Sequence, residues 1–229
     1  MSVILLHGIG GASWGDLVPG AIDWPMPGFA GTAPLPRMTF PALTEALRNT
    51  LDARGIGRAT LVGHSMGGML AQDFVATFPD RVARMVLYAT TPAFGGRDPA
   101  FAEAFIAARL GPLDEHGSMA AAAPAMLAGL PDHAMAPALA ALSAVPEEVY
   151  RDTVRCLTTF DRRADLPRIR VPTLLIAGEL DESAPLKTMR RMADAIPGAR
   201  LAIIDGAGHF AHLDHPAEFR TALRECLDG

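Results

Sequence analysis

The sequence predicts an α/β fold: a parallel sheet with helices on both faces. Two patterns in the 229 residues predict it. Short, continuous apolar runs alternate with longer stretches of helical spacing, the order of strand–helix–strand units. The apolar runs show no in–out alternation, so each strand is expected to be covered on both faces. The alternation breaks once, between about Thr91 and Phe160, where only helices are read.

The elements follow in order. Ser2 to Leu6 is a buried strand that ends at His7-Gly8. A weaker strand lies around Ala21, near Asp23 and Trp24. Leu43, Leu47 and Leu51 share one face of a helix over Thr39 to Arg54, with Gly55 as its stop. Ala59 to Gly63 is a strand, Met66 to Phe78 a helix, and Val82 to Tyr88 the next strand. Thr173 to Ala177 is a strand entered through Pro172. Leu186, Met189, Ala193 and Ile196 fall on one helix face, and Arg200 to Ile204 is the last strand. Phe219, Leu223 and Leu227 mark the final helix. A helical insertion between two parallel strands is expected over the strand C-termini, where open α/β sheets bind ligands.

Composition excludes several classes. Half of the residues are hydrophobic and the net charge is only -5, which argues against disorder. No Lys/Arg run is present, so neither nucleic acid nor an anionic membrane is expected as the main partner. Met1 to Gly11 is apolar but lacks the charged start and cleavage site of a signal peptide. No window approaches ~20 uninterrupted apolar residues; Met119 to Val145 comes nearest and is broken by Pro124, Pro131, Asp132 and Pro137. Cys156 and Cys226 are too few for a disulfide framework and fit a reducing compartment. A cytoplasmic protein, monomer or homodimer, is the expectation.

The chemistry is carried by Gly63-His64-Ser65-Met66-Gly67, a G-x-S-x-G that follows a strand and opens a helix. The glycines remove Cβ atoms from a tight turn, which holds Ser65 exposed above the sheet. The helix N-terminus offers N–H groups to a developing oxyanion. No Lys follows as in a P-loop, and the spacing is not G-x-G-x-x-G.

A serine hydroxyl needs a base. His209, in Gly206-Ala207-Gly208-His209-Phe210 beyond the last strand, is best placed. Of the other histidines, His64 is expected to point elsewhere, His7 ends the first strand, and His116 and His133 lie in the insertion. His212 and His215 are expected to begin the last helix. The acid that orients His209 is expected at Asp181, after the Thr173 strand, with Glu179, Glu182 and Asp205 as alternatives. The oxyanion donors are expected to be the backbone N–H groups of Met66 and of Ile9, with Gly10 next.

These segments together resemble the α/β-hydrolase fold over nearly the whole chain. Leu5-Leu6-His7-Gly8, Asp23 to Phe29, Gly63 to Gly68, Val171 to Asp181 and Gly206 to His209 carry the resemblance. It implies a three-layer α/β/α fold, a triad of Ser65, Asp181 and His209, and a lid on the helical insertion. The domain reading is therefore residues 1–90 and 161–229 as core and 91–160 as lid. Family members usually begin with a strand hairpin that this sequence lacks, so about six strands are expected. The segment between Gly11 and Pro27 is short, so its helix is expected to be vestigial or missing. Relatives with Asp at the elbow, the haloalkane dehalogenases and epoxide hydrolases, do not match Ser65. The elbow is most similar to esterases and 3-oxoadipate enol-lactonase-type enzymes.

The expected function is hydrolysis of a small-molecule ester or lactone through an acyl-enzyme, with no metal or organic cofactor. Trp14, Phe94, Phe101, Phe105, Met126, Phe160 and Phe210, and the Met66 side chain, are candidates for the acyl pocket. Arg109, Arg155, Arg162 and Arg163 are candidates for a substrate carboxylate. Two rivals share these residues: a C–C bond hydrolase of a ring-cleavage dienoate, and a ligand-binding or signalling protein with little turnover.

Overall fold

Each short apolar run forms a strand: β1 (Ser2–Leu6), β2 (Ile22–Trp24), β3 (Ala59–His64), β4 (Val82–Tyr88), β5 (Thr173–Gly178) and β6 (Arg200–Ile204). The computed structural model describes residues 1–11, 14, 17–94, 99–128, 130 and 132–227. All pairings are parallel, in the order β2-β1-β3-β4-β5-β6. β3 and β5 are buried along their whole length, which is why they are apolar without alternation.

Successive side chains leave opposite faces of the sheet. Leu61, Met85, Leu87 and Leu175 enter one core with helices α1 (Phe40–Ala53), α2 (Met66–Thr77) and α7 (Leu186–Ala195). Val62, Val86, Leu174 and Ile176 enter the other, against Phe219 and Leu223 of α9 (Pro216–Leu227). The result is three layers. Each fully buried Leu, Ile or Phe contributes about 1.5–3 kcal/mol. Among the described residues between Gly11 and Ile22 there is no α-helix, as the short spacing implied; residues 12, 13, 15 and 16 lie outside the description.

Between β4 and β5 the chain runs through α3 (Pro99–His116), α4 (Met119–Met126), α5 (Asp132–Ser143) and α6 (Glu147–Leu157). The ends of this insertion meet at a neck. The Phe94 N–H donates to the Phe160 carbonyl at 2.9 Å, and the Arg162 N–H to the Pro92 carbonyl at 2.8 Å. A single antiparallel bridge joins Ala93 to Asp161, where sequence pattern alone indicated no strand pairing.

Below the neck lies Asp73 of α2, 3% exposed. Its Oδ1 accepts from Nε and a terminal nitrogen of Arg162 at 2.9 and 2.7 Å, and its Oδ2 from the Thr44 hydroxyl at 2.6 Å. Arg162 is therefore a clamp between insertion and core, not a substrate ligand. Arg163 is likewise held by Asp161 at 3.0 Å, and Arg155 stands exposed beside Asp152. Removing one partner of a buried pair strands the other charge. Arg162→Met should cost about 3 kcal/mol, the low end for such pairs because its side chain is partly exposed. Urea unfolding measures this, and a loss below about 1 kcal/mol would show that Asp73 does not depend on Arg162.

Candidate active site

β3 ends at His64 and α2 begins at Met66, so Ser65 alone makes the turn. Its backbone takes φ 53° and ψ -117°, a left-handed conformation rare for a residue with a Cβ. Such strain costs on the order of 1–3 kcal/mol and persists only where neighbours impose it. Here the Ser65 N–H donates to the Tyr88 carbonyl at 2.9 Å, and the Thr90 hydroxyl donates to the Ser65 carbonyl at 2.7 Å. The glycines permit the crossing. A Cβ on Gly63 would stand 2.3 Å from the Gly67 carbonyl oxygen, and one on Gly67 2.0 Å from that of Leu6.

The same device joins the ends of β5 and β6. A Cβ on Gly178 would stand 2.3 Å from the Gly208 oxygen, so the histidine loop crosses directly over the acid strand. That crossing sets His209 Nδ1 2.8 Å from Asp181 Oδ2. The other carboxylate oxygen accepts from the Ser183 and Ala184 N–H groups at 2.8 and 2.9 Å. Burial alone would raise Asp181. The hydrogen bond and charge of His209, with the two amides, outweigh it and hold the carboxyl below its ordinary value. With Nδ1 engaged, Nε2 is the free ring nitrogen. Glu179 accepts from the Gly206 N–H at 2.9 Å and so fastens the loop instead of meeting the ring. Glu182 and Asp205 are exposed and make no hydrogen bond to His209.

Ser65 and His209 border one cavity of about 510 Å³, with Gly8, Ile9 and Gly10 on its rim. Among the described residues no hydrogen bond joins Ser65 Oγ to the ring; such contacts often tighten only when substrate is bound. The first helical bonds of α2 run from the Gly68 and Met69 N–H groups to the Ser65 carbonyl. Among the described residues no carbonyl is paired with the N–H of Met66 or Ile9. Two donors therefore remain among the described residues near the serine, Ile9 in the loop after β1 and Met66 at the positive end of a helix. Among the described residues no cluster of three or more His, Cys, Asp or Glu side chains could hold a metal ion.

A model described as the alpha/beta hydrolase family matches residues 3–222. The chain belongs to that family. It is 30% identical to a pimeloyl-[acyl-carrier protein] methyl ester esterase of Aromatoleum aromaticum, over 99% of this chain and 98% of that protein. It is also 30% identical to part of the polyketide synthase ThaQ of Burkholderia thailandensis, spanning 99% of this chain but only 12% of the synthase. The solved enol-lactonase of Burkholderia xenovorans LB400 superposes with a TM-score of 0.85 at 24% identity, covering 100% of this chain and 91% of that one.

In this alpha/beta hydrolase several expected pocket residues do border the serine cavity: Trp14, Phe94, Phe105, Met126 and Phe210. Three do not. Phe160 is 3% exposed and packs on Phe40 with ring centres 4.6 Å apart, because the neck turns it down into the core. Phe101 is 53% exposed and borders only a neighbouring cavity of about 430 Å³, being farther out along α3. The Met66 side chain is wholly buried under the sheet end, and Met69, one turn on, reaches the cavity instead.

Sequence spacing missed the layer beneath His209. His64 does not point away. Its ring lies 4.9 Å from that of His209, and its Nε2–H donates to the His209 carbonyl at 3.1 Å. The Tyr88 hydroxyl donates to the same carbonyl at 3.1 Å and lies 3.0 Å from His212 Nδ1. His212 sits on a short helix, α8 (Ala211–Asp214), ahead of the last one. The usable signal was register: His64 and Tyr88 are partners at the C-terminal ends of β3 and β4.

These buried histidines are neutral. Burial, with His209 and His212 alongside, holds His64 well below its ordinary value. Burial and His209 lower His212 to about 4. Burial also lowers His7, whose Nε2 accepts from the Met26 N–H at 2.9 Å. Each folded-state value lies below the unfolded one of about 6.5, so the unfolded chain binds more protons as pH falls. Stability is then full above about pH 6.5 and declines toward pH 4, with roughly 2 kcal/mol lost by pH 5 from His212 alone. Asp181 adds its own loss only below about pH 4, as its depressed carboxyl protonates. Denaturant unfolding at pH 7, 6 and 5 should show this slope; equal stabilities would contradict it.

Proposed function

We propose that this protein is a serine hydrolase that cleaves a carboxylic ester or lactone through an acyl-enzyme on Ser65. One observation carries the reading: a strained serine and a carboxylate-bound histidine border a single cavity beside two N–H groups that no carbonyl of the described residues pairs. Family membership and the methyl ester esterase relative support hydrolase activity.

In this mechanism Nε2 of His209 takes the Ser65 proton as Oγ attacks the carbonyl carbon. Asp181 holds the imidazole in the Nδ1–H form and stabilises it once charged. The N–H groups of Met66 and Ile9 receive the oxyanion, each worth about 10²–10³ in rate. The leaving alcohol takes the proton from His209. Water, deprotonated by the same nitrogen, then attacks the acyl-enzyme; the acyl–Oγ bond breaks, Oγ regains its proton from His209, and the acid departs. A lactone follows the same steps, with its alcohol still tethered to the acyl group. Every step draws on side chains, backbone and water alone. Helices α3–α6, residues 91–160, act as the lid over the core formed by 1–90 and 161–229.

Ser65→Ala should fold like the parent and lose about 10⁴-fold or more in kcat/KM on p-nitrophenyl acetate. Retention of the parental rate in the purified variant would overturn the reading.

A further inference from the structure

We infer that Arg109 and Tyr150 form a carboxylate-binding subsite in the wall of the serine cavity, so that the substrate is an ester or lactone bearing a carboxylate away from its reacting carbonyl. For the reaction, though not for binding, this rests on the hydrolytic role proposed for Ser65.

The wall that α3–α6 give this cavity is largely apolar: Phe105, Met126, Leu142 and Leu157 are typical. Among the described residues two polar groups interrupt it. Arg109 of α3 is half-buried and borders both the serine cavity and the outer cavity. Its guanidinium lies 5.4 Å from the centre of the Phe105 ring. Among the described residues it makes no hydrogen bond or ion pair. The contrast with its neighbours is informative. Arg151 is held by Asp114 and Glu147, Arg162 by Asp73, and Arg163 by Asp161.

Tyr150 of α6 is 2% exposed and borders the same cavity. Among the described residues its hydroxyl also has no hydrogen-bond partner. The residue is buried but its hydroxyl opens to the cavity, where a ligand oxygen can take its hydrogen bond. Burial raises this phenol, and the positive charge of Arg109 lowers it, so the two groups lie within electrostatic reach.

The chemistry selects the ligand. A guanidinium has only donors, in a planar fork, and a phenol adds one more. Donors with positive charge call for anionic acceptor oxygens, and a carboxylate matches the fork in two-point contact. The Phe105 ring under the guanidinium limits its freedom and leaves its edge for the ligand. Glu182 also borders both cavities, but it is exposed, where water and salt screen its charge, and it forms no ion pair with Arg109. Ser65 and Arg109 border one cavity, so the chain linking carbonyl and carboxylate runs past Phe94, Phe105 and Met126.

The test uses pairs of p-nitrophenyl esters with acyl chains of equal length, ending in either a methyl group or a carboxylate. At the best length the carboxylate ester should exceed its partner in kcat/KM by about 10-fold or more. Arg109→Gln should cut that ratio by about 10–100-fold, the range of a charge-assisted hydrogen bond, mainly through KM. Tyr150→Phe should cut it by less. Arg155→Gln, exposed on α6 and outside both cavities, should leave it unchanged. Preference for the methyl-ended ester at every length, or a ratio that survives Arg109→Gln, would overturn the subsite. Calorimetric titration of Ser65→Ala with adipate decides the binding claim without turnover. Binding that disappears in Ser65→Ala/Arg109→Gln supports it, and equal or absent binding in both overturns it. If no ester is turned over while adipate still binds through Arg109, the hydrolytic role of Ser65 fails and the subsite stands.

Discussion

The site depends on one steric constraint: two pieces of main chain cross at van der Waals contact beneath Ser65. The start of α2 passes so close to the end of β1 that no side chain fits at Gly67. Gly63 faces the same helical turn from the other side. With both neighbours fixed, Ser65 has no relaxed conformation available, and its Oγ is carried above the sheet. Central strands paired on both sides supply the rigidity that maintains this.

A second crossing, Gly178 under Gly208, does for His209 what the first does for Ser65. It brings two loops from adjacent strands into register, so the Asp181–His209 contact follows from sheet geometry more than from side-chain reach. The layer below extends this logic. Tyr88 and His64 both donate to the His209 carbonyl, fixing the main chain from which the ring projects. The histidines of this layer are neutral. Burial keeps the histidines so, which ties the stability of the site to pH through groups that are not its reacting atoms.

Much of this was legible in the sequence. Apolar runs without alternation gave the strands to within a residue or two, since burial on both faces leaves a composition signal. Glycine spacing located the elbow, because only glycine fits there. The loops after β6 and β5 pointed to His209 and Asp181, whose side chains stand 2.8 Å apart. What stayed hidden depends on contacts across the chain. The ring of Phe160 turns into the core because of the neck hydrogen bonds, and Arg162 is consumed by Asp73, 89 residues away. His64 could not be placed under His209 without knowing that β3 and β4 end together. Ion pairs and cavity lining, not composition, separated Arg109 from Arg155, Arg162 and Arg163.

The central claim is that strain and neighbours make Ser65 a reactive nucleophile. A fluorophosphonate labelling experiment, read by intact mass and peptide mapping, tests it most directly. One adduct per chain, on Ser65 and absent after denaturation, is the predicted result. No adduct on the folded protein, or an adduct on any other residue, would contradict it.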